Sequence, residues 1–110
     1  MAETLKILGQ ASLTANTLTD IYTVSAGTQT VISTITICNR SNVFGSYFRL
    51  SVAKNGEGDN IKQYLYYDVP ITPNETFATT IGLSLNVGDI IRGYADTANL
   101  SFNIFGQEIT

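Results

Sequence analysis

A long strand-like run over residues 28–39 is the feature that most constrains how this chain folds. Its side chains alternate with a period of two, as successive residues of a β-strand point to opposite faces. One face carries Val31, Ser33, Ile35 and Ile37, and the other carries Thr30, Ile32, Thr34, Thr36 and Cys38. The second face is too apolar for an ordinary wet surface, so we expect a central strand that is covered on both sides.

Periodicity and turn signals divide the rest of the chain into similar segments, which gives about eight short strands. The predicted strands span residues 4–10, 18–24, 28–39, 46–54, 63–69, 76–83, 90–95 and 100–109. Short strands in a chain rich in Thr, Ile, Tyr and Phe are typical of antiparallel sandwiches and barrels. We therefore predict an all-β fold, an antiparallel β-sandwich of about eight strands that is jelly-roll-like.

The length of 110 residues is enough for one domain with its own hydrophobic core. We expect a single β-sandwich domain over residues 18–110, preceded by an N-terminal strand or arm over residues 1–17. No apolar stretch approaches the roughly 20 residues that span a bilayer, and the start of the chain does not read as a signal peptide. The sequence therefore predicts a soluble protein.

The charge balance disfavours two classes of partner. Nine carboxylates against six Lys and Arg give a net charge of -3, which opposes electrostatic binding to nucleic acid or to an anionic membrane. The single cysteine, Cys38, cannot form an intramolecular disulfide, and with no histidine in the chain a Cys/His metal cluster is excluded. We expect neither a nucleic-acid nor a membrane partner.

Catalytic chemistry would fall to carboxylates, Lys or Tyr, because the chain has no histidine. Asp20, Asp68 and Asp89 are the acids that lie within or beside predicted strands, and Asp68 follows Tyr66 and Tyr67. No nucleophile elbow, paired acids or phosphate-binding loop accompanies them. The sequence predicts a protein that is not an enzyme and that uses no cofactor.

A Gly-rich polar loop is a weaker candidate for a cation site. Asn55, Glu57 and Asp59 are two residues apart, a spacing of oxygen donors that calcium prefers. The EF-hand pattern fails, since Tyr66 stands where its bidentate Glu would be. A solvated hairpin tip is the favoured interpretation, and cation binding by residues 55–59 stays open.

Several aromatic side chains fall on faces opposite the predicted core. In residues 63–69, Leu65, Tyr67 and Val69 are expected to face inward, and Tyr64 and Tyr66 outward. Tyrosine is enriched both at protein interfaces and where sugars stack. The candidate outward contact face therefore comprises Tyr47, Tyr64 and Tyr66. The candidate subunit interface comprises Tyr94, Phe102, Phe105, Ile32 and Thr34.

Four segments resemble, in this order, small virion proteins of tailed bacteriophages. They are IYTVSAG at 21–27, TITICNR at 34–40, YLYYDVP at 64–70 and LSFNIFGQEI at 100–109. The likeness extends from about residue 18 to the C-terminus, and Ser25 departs from it because the family usually has proline there. It implies a structural virion protein made in the host bacterial cytoplasm, and most simply a capsid decoration or cement protein that stabilises the head. Its partner would be the major capsid protein or another virion protein.

Modules of this type also occur in tails and fibres. The resemblance therefore leaves an alternative open, a receptor-binding or adhesion module whose Tyr47, Tyr64 and Tyr66 stack on host glycans. Residues 85–91 (LNVGDII) with 102–105 (FNIF) are also similar to the ending of trimeric jelly rolls of the C1q and tumour-necrosis-factor type. That second likeness implies a homo-oligomer, such as a trimer, in which Tyr94, Phe102 or Phe105 contacts a sister subunit.

Overall fold

The computed structural model describes residues 2–110, which form nine strands and two short 3-10 turns. The strands are β1 (Glu3–Ser12), β2 (Thr19–Thr23), β3 (Gln29–Asn39), β4 (Ser46–Ala53), β5 (Tyr64–Ile71), β6 (Thr76–Thr79), β7 (Leu83–Leu85), β8 (Ile90–Ala95) and β9 (Leu100–Ile109). The turns, Lys54–Gly56 and Ile61–Gln63, lie between β4 and β5. The predicted strand 76–83 is thus two strands, because residues 80–82 leave the ladder. Among the described residues, no helix is long and apolar enough to span a membrane.

The strands form two antiparallel sheets that pack into a sandwich. The first sheet has the order β1-β9-β3-β6, with β7 also paired to β3, and the second has the order β2-β8-β4-β5. This strand order is that of a jelly roll, so the predicted all-β sandwich is confirmed.

β1 belongs to the segment that the sequence sets apart as residues 1–17, yet it pairs with β9 along its length. Leu8, Ala11 and Leu13 pack on the core, so the sandwich begins well before residue 18.

The core lies between the two sheets and is filled by aliphatic and phenyl side chains. Its most deeply buried large members are Phe48, Phe102, Ile32, Ile35, Ile37, Leu50, Ile91, Leu100 and Ile104. Phe48 joins the sheets, with its ring centroid 5.0 Å from that of Phe77 and 6.4 Å from that of Phe102. Burial of these side chains is the main favourable contribution to folding.

A β-bulge in β3 changes which of its side chains reach the core. The register with β9 shifts between Ile32 and Thr34, so Ser33 has no partner and the alternation loses its phase. Ile32 is therefore buried on the same side as Ile35 and Ile37. The prediction that Ile32 shares an outward face with Thr34 is wrong, because strict alternation holds only where the ladder is regular.

A second irregularity reverses the predicted orientation of Leu65, Tyr66 and Tyr67 in β5. Phe48 pairs with Val69 and Leu50 with Tyr66, so the one residue between Phe48 and Leu50 stands opposite two residues of β5. The second of these two, Asp68, has a φ of 54°, a conformation that Asp tolerates better than most residues. Tyr66 and Val69 consequently both pack against the core. The exposed side chains are instead Leu65 and Tyr67.

Candidate functional site

The outer face of the first sheet is nearly free of charge and carries exposed apolar side chains among neutral polar ones. Its central row crosses three strands, because Phe105 of β9 pairs with Ile7 of β1 on one side and with Thr34 of β3 on the other. Next to this row, Leu5 is 81% exposed, and Ile7 itself is 52% exposed. We call this surface the uncharged face. It comprises Leu5, Ile7, Gln10, Ser12, Val31, Thr34, Thr36, Cys38, Thr76, Ala78, Ser101, Asn103, Phe105 and Gln107.

Within residues 2–110, charged groups reach the uncharged face only at its ends. Glu3 pairs with Ile109 at one end. At the other, Arg40 donates a hydrogen bond to the Ser12 hydroxyl at 3.0 Å. Between them the polar groups are amides and hydroxyls, such as the Gln10 amide that donates to Asn103 at 2.7 Å. Exposed apolar side chains within an uncharged patch are typical of protein interaction sites.

The predicted subunit interface is divided among three places. Phe105 and Thr34 lie side by side on the uncharged face. Ile32 and Phe102 lie in the core, with 0% and 1% exposure, so neither side chain is available at the surface of the folded protomer. The interface prediction is corrected for these two, since the β3 bulge turns Ile32 inward and the alternation of β9 turns Phe102 inward.

Tyr94 lies on the opposite side of the molecule, on the outer face of the second sheet. It pairs across the ladder with Arg49, whose guanidinium carbon is 4.4 Å from the Tyr94 ring centroid and 4.2 Å from that of Tyr67. Arg49 Nε also donates to Asp68 Oδ1 at 2.6 Å, and this hydrogen bond raises the pKa of Arg49. The Arg49 guanidinium therefore lies between the Tyr94 and Tyr67 rings and is held there by cation–π contacts.

The predicted outward aromatic face is partly retained. Tyr47 lies on the same side of β4 as Arg49, and Tyr64 packs edge-on against Tyr67 with centroids 5.1 Å apart. Tyr66 does not belong to it, because its ring is 5.2 Å from that of Phe77 and its hydroxyl is hydrogen-bonded to Thr79 at 2.9 Å. The bulge at Asp68 is the reason. Sequence reasoning missed Tyr67 and Arg49 here, since only the bulge reveals that both Tyr67 and Asp68 flank Arg49.

The acids considered for catalysis are engaged in structural contacts. Asp20 pairs with Arg92 at 2.8 Å and Asp68 with Arg49 at 2.6 Å. Asp89 accepts the backbone N–H groups of Asn55 and Asn86 at 2.9 and 2.8 Å and so closes a turn. These three carboxylates hold strands and turns together.

The loop considered for a cation is also internally bonded. Glu57 pairs with Lys62 at 3.8 Å, and Asp59 accepts a hydrogen bond from the Tyr64 hydroxyl at 2.9 Å. Asn55 has a φ of 52° and lies in the 3-10 turn. Within residues 2–110, no group of three His, Cys, Asp or Glu side chains is placed to hold a metal ion.

A polar network below the uncharged face ties β1 to its neighbours. Lys6 Nζ donates to Glu108 Oε1 at 2.7 Å, and the buried Tyr22 hydroxyl donates to Glu108 Oε2 at 2.7 Å. Because the Tyr22 proton goes to Glu108, the Thr30 hydroxyl at 2.6 Å donates to Tyr22. The hydrogen bonds from Lys6 and Tyr22 hold the pKa of Glu108 below its usual value. The network joins β1, β2, β3 and β9.

This network predicts a loss of stability at alkaline pH. Burial is the main cause that raises the pKa of Tyr22 to about 12, above the ordinary value of 10.0, and the neighbouring Glu108 carboxylate raises it further. The protonated Tyr22 hydroxyl makes its full contribution to stability below pH 10. This contribution is lost as the pH rises through 12. We expect the free energy of unfolding to fall by ~2–3 kcal/mol over this interval, as measured by denaturant unfolding at several pH values.

Tyr22→Phe provides the control for this prediction. The variant loses the hydrogen bonds at Glu108 and Thr30 and should be about 1 kcal/mol or more less stable at neutral pH, but it should lose less stability between pH 10 and 12. Identical alkaline slopes in the two proteins would contradict the assignment to Tyr22.

Comparison with known proteins finds similar solved structures but no matching family model or curated sequence. No family model matches the chain, and no curated protein sequence matches it. Two solved structures, both crystal structures of a pentameric capsid protein isolated from metagenomic phage sequences, are similar to it. They share 17% and 18% sequence identity, cover 91% of this chain in each case, and give TM-scores of 0.39 and 0.37. The chain spans 59% and 64% of the length of those two proteins.

Proposed function

We propose that this chain is a structural subunit of a bacteriophage virion and that it assembles with further copies of itself through the uncharged face. The observation that carries the proposal is the row of Ile7, Phe105 and Thr34 beside the exposed Leu5, on a sheet face with no charge between its ends. Apolar area removed from water stabilises an interface by roughly 25 cal/mol per Å². A face without charges also meets its own copy without repulsion.

Two further observations support a virion role. The segments at 21–27, 34–40, 64–70 and 100–109 resemble virion proteins of tailed phages, and the strand order is the jelly roll that viral capsid domains use. The finer role that we propose is that of a capsid decoration or cement protein, with the major capsid protein or another virion protein as its partner. Such a subunit stabilises the head by burying surface across junctions between capsid subunits, so that binding favours the assembled state. It binds and does not catalyse.

A tail or fibre module that contacts host glycans is the second candidate. The outward tyrosines of the second sheet favour it, since Tyr47, Tyr64 and Tyr67 lie on one face and aromatic rings stack on sugars. Arg49 covers one face of the Tyr67 ring and one face of the Tyr94 ring. Tyr67 is still the most exposed of the three tyrosines, at 57%, and Tyr47 and Tyr64 are half-buried.

The copy number in purified virions tests the virion role and separates the two candidates. For a head decoration protein we expect a copy number comparable to that of the major capsid protein, because decoration follows the capsid lattice. A tail or fibre module should be present at a small fraction of that number. Quantitative mass spectrometry of gradient-purified particles measures the ratio, with an abundant host cytoplasmic protein as the contamination control. A chain no more abundant than that control contradicts both candidates.

A further inference from the structure

β1 presents a free hydrogen-bonding edge. Ala2 and Thr110 exchange both of their backbone hydrogen bonds, at 2.9 and 2.8 Å. In an antiparallel ladder bonded and non-bonded pairs alternate, so Thr4 and Lys6 also bond to β9. The N–H and C=O groups of Glu3, Leu5 and Ile7 then point away from β9. Within residues 2–110, no other residue forms a backbone hydrogen bond with them.

The other sheet edges are interrupted in ways that discourage strand addition. In the first sheet, the far edge is broken at residues 80–82 between β6 and β7. In the second sheet, β5 carries Pro70 and the left-handed Asp68, while β2 has five residues and a register shift next to Ile21. β1 has ten residues, and its pairing is regular from Glu3 to Ile7. It is the longest edge strand and presents the longest regular edge.

Self-complementarity favours a second copy of this chain as the strand that would pair there. The chain carries a net charge of -3 and repels its own copies over most of its surface. Leu5 and Ile7 extend the uncharged face up to the free edge, so on that face two copies can meet without like charges. An antiparallel pair about a two-fold axis also makes the contact self-complementary.

The register follows from the side chains along β1. An axis through Leu5 sets Leu5 opposite Leu5 of the second copy, with Ile7 opposite Glu3 and Lys6 opposite Thr4. Moving the axis to Lys6 would set Leu5 opposite Ile7 of the second copy, but it would also set two lysines directly opposite each other, and such like-charge pairs are destabilising. Moving it to Thr4 would set Leu5 opposite Glu3 and lose the apolar pair. The Leu5-centred register therefore pairs Leu5, the most exposed apolar side chain of β1, with its own copy and keeps the two Lys6 side chains from lying directly opposite each other.

We infer that β1 pairs with β1 of a second copy about a two-fold axis through Leu5 and joins the two first sheets into one continuous sheet. This inference names the partner at one border of the uncharged face and rests on the proposed homo-oligomeric role. Sedimentation velocity of the full chain tests self-association without reference to β1, and the copy number in virions tests the virion role. A failure of the β1 pairing in a populated oligomer is therefore distinguishable from a failure of the proposed function.

Amide hydrogen exchange of the full chain tests the pairing directly. The Leu5 and Ile7 amides should exchange about tenfold or more slowly at concentrations where the oligomer is populated than in dilute solution, because hydrogen bonding protects amides from exchange. Thr4 and Lys6 are the internal control, since their amides bond to β9 in both states. Unchanged exchange at Leu5 and Ile7 in a populated oligomer overturns the inference, and so does a monomer at every concentration.

Disulfide trapping tests the register. In a Cys38→Ser background, Leu5→Cys should form an interchain disulfide on mild oxidation, because bonded partners have Cα atoms about 5.5 Å apart, within disulfide range. Ile7→Cys is the matched control, since it lies opposite Glu3 and roughly 14 Å along the strand from its own copy. Absence of the Leu5→Cys dimer, or equal trapping at both positions, overturns the Leu5-centred register.

Discussion

Gly106→Ala is expected to destabilise the protein by about 3 kcal/mol or more, which is a large part of the stability of a small domain. Gly106 lies in β9 between β1 and β3. A Cβ atom there would lie 2.2 Å from the Val31 carbonyl oxygen and 3.1 Å from the Ile32 Cα atom. Both are backbone atoms of the central strand, so relief requires β3 to move away from β9.

Chemical denaturation followed by circular dichroism measures this effect. Gly82→Ala is the matched control, because nothing lies within 4 Å of the added Cβ atom at that position. We expect that variant to differ from the wild type by no more than about 0.5 kcal/mol. A Gly106→Ala protein with the wild-type midpoint would contradict the close approach of β9 to β3 beside the β3 bulge.

Phe105→Asp is expected to break the proposed contact at the centre of the uncharged face and so to lower the oligomeric state, while each protomer stays folded. Phe105 is half-buried at the centre of the uncharged face, between Ile7 and Thr34. An aspartate there would place an unpaired charge in a desolvated contact. The apparent dissociation constant should rise by about 100-fold or more, which corresponds to ~2.7 kcal/mol. Sedimentation velocity over a concentration series measures the change, and circular dichroism verifies that the sandwich remains folded.

Tyr94→Asp is the matched control for this prediction. The sequence alone groups Tyr94 with Phe105, whereas the structure separates them onto opposite outer faces of the sandwich. The Tyr94→Asp protein should therefore keep the oligomeric state of the wild type. If Tyr94→Asp dissociates the oligomer and Phe105→Asp does not, the contact between copies lies on the second sheet. A wild-type protein that is monomeric at high concentration would contradict the proposed self-association.

Local patterning predicted the strands closely. The run at 28–39 is β3 to within one residue, and the predicted strands 90–95 and 100–109 are β8 and β9. The period of two and the turn residues are properties of neighbouring residues, so they can be read without a fold. Where the pattern was ambiguous it failed: residues 64–67 are apolar or aromatic throughout, and the bulge at Asp68 decided that Tyr66 faces inward.

The all-β class, most strand positions, the lack of histidine chemistry and the net negative charge follow from the amino-acid sequence, because they depend on composition and on local alternation. Only the tertiary structure brought Ile7, Thr34 and Phe105 into one row, since strand neighbours are fixed by hydrogen bonds between distant segments. It also placed the bulges that moved Ile32 and Tyr66 into the core. A bulge is a mismatch between two strands, so neither strand alone reveals it.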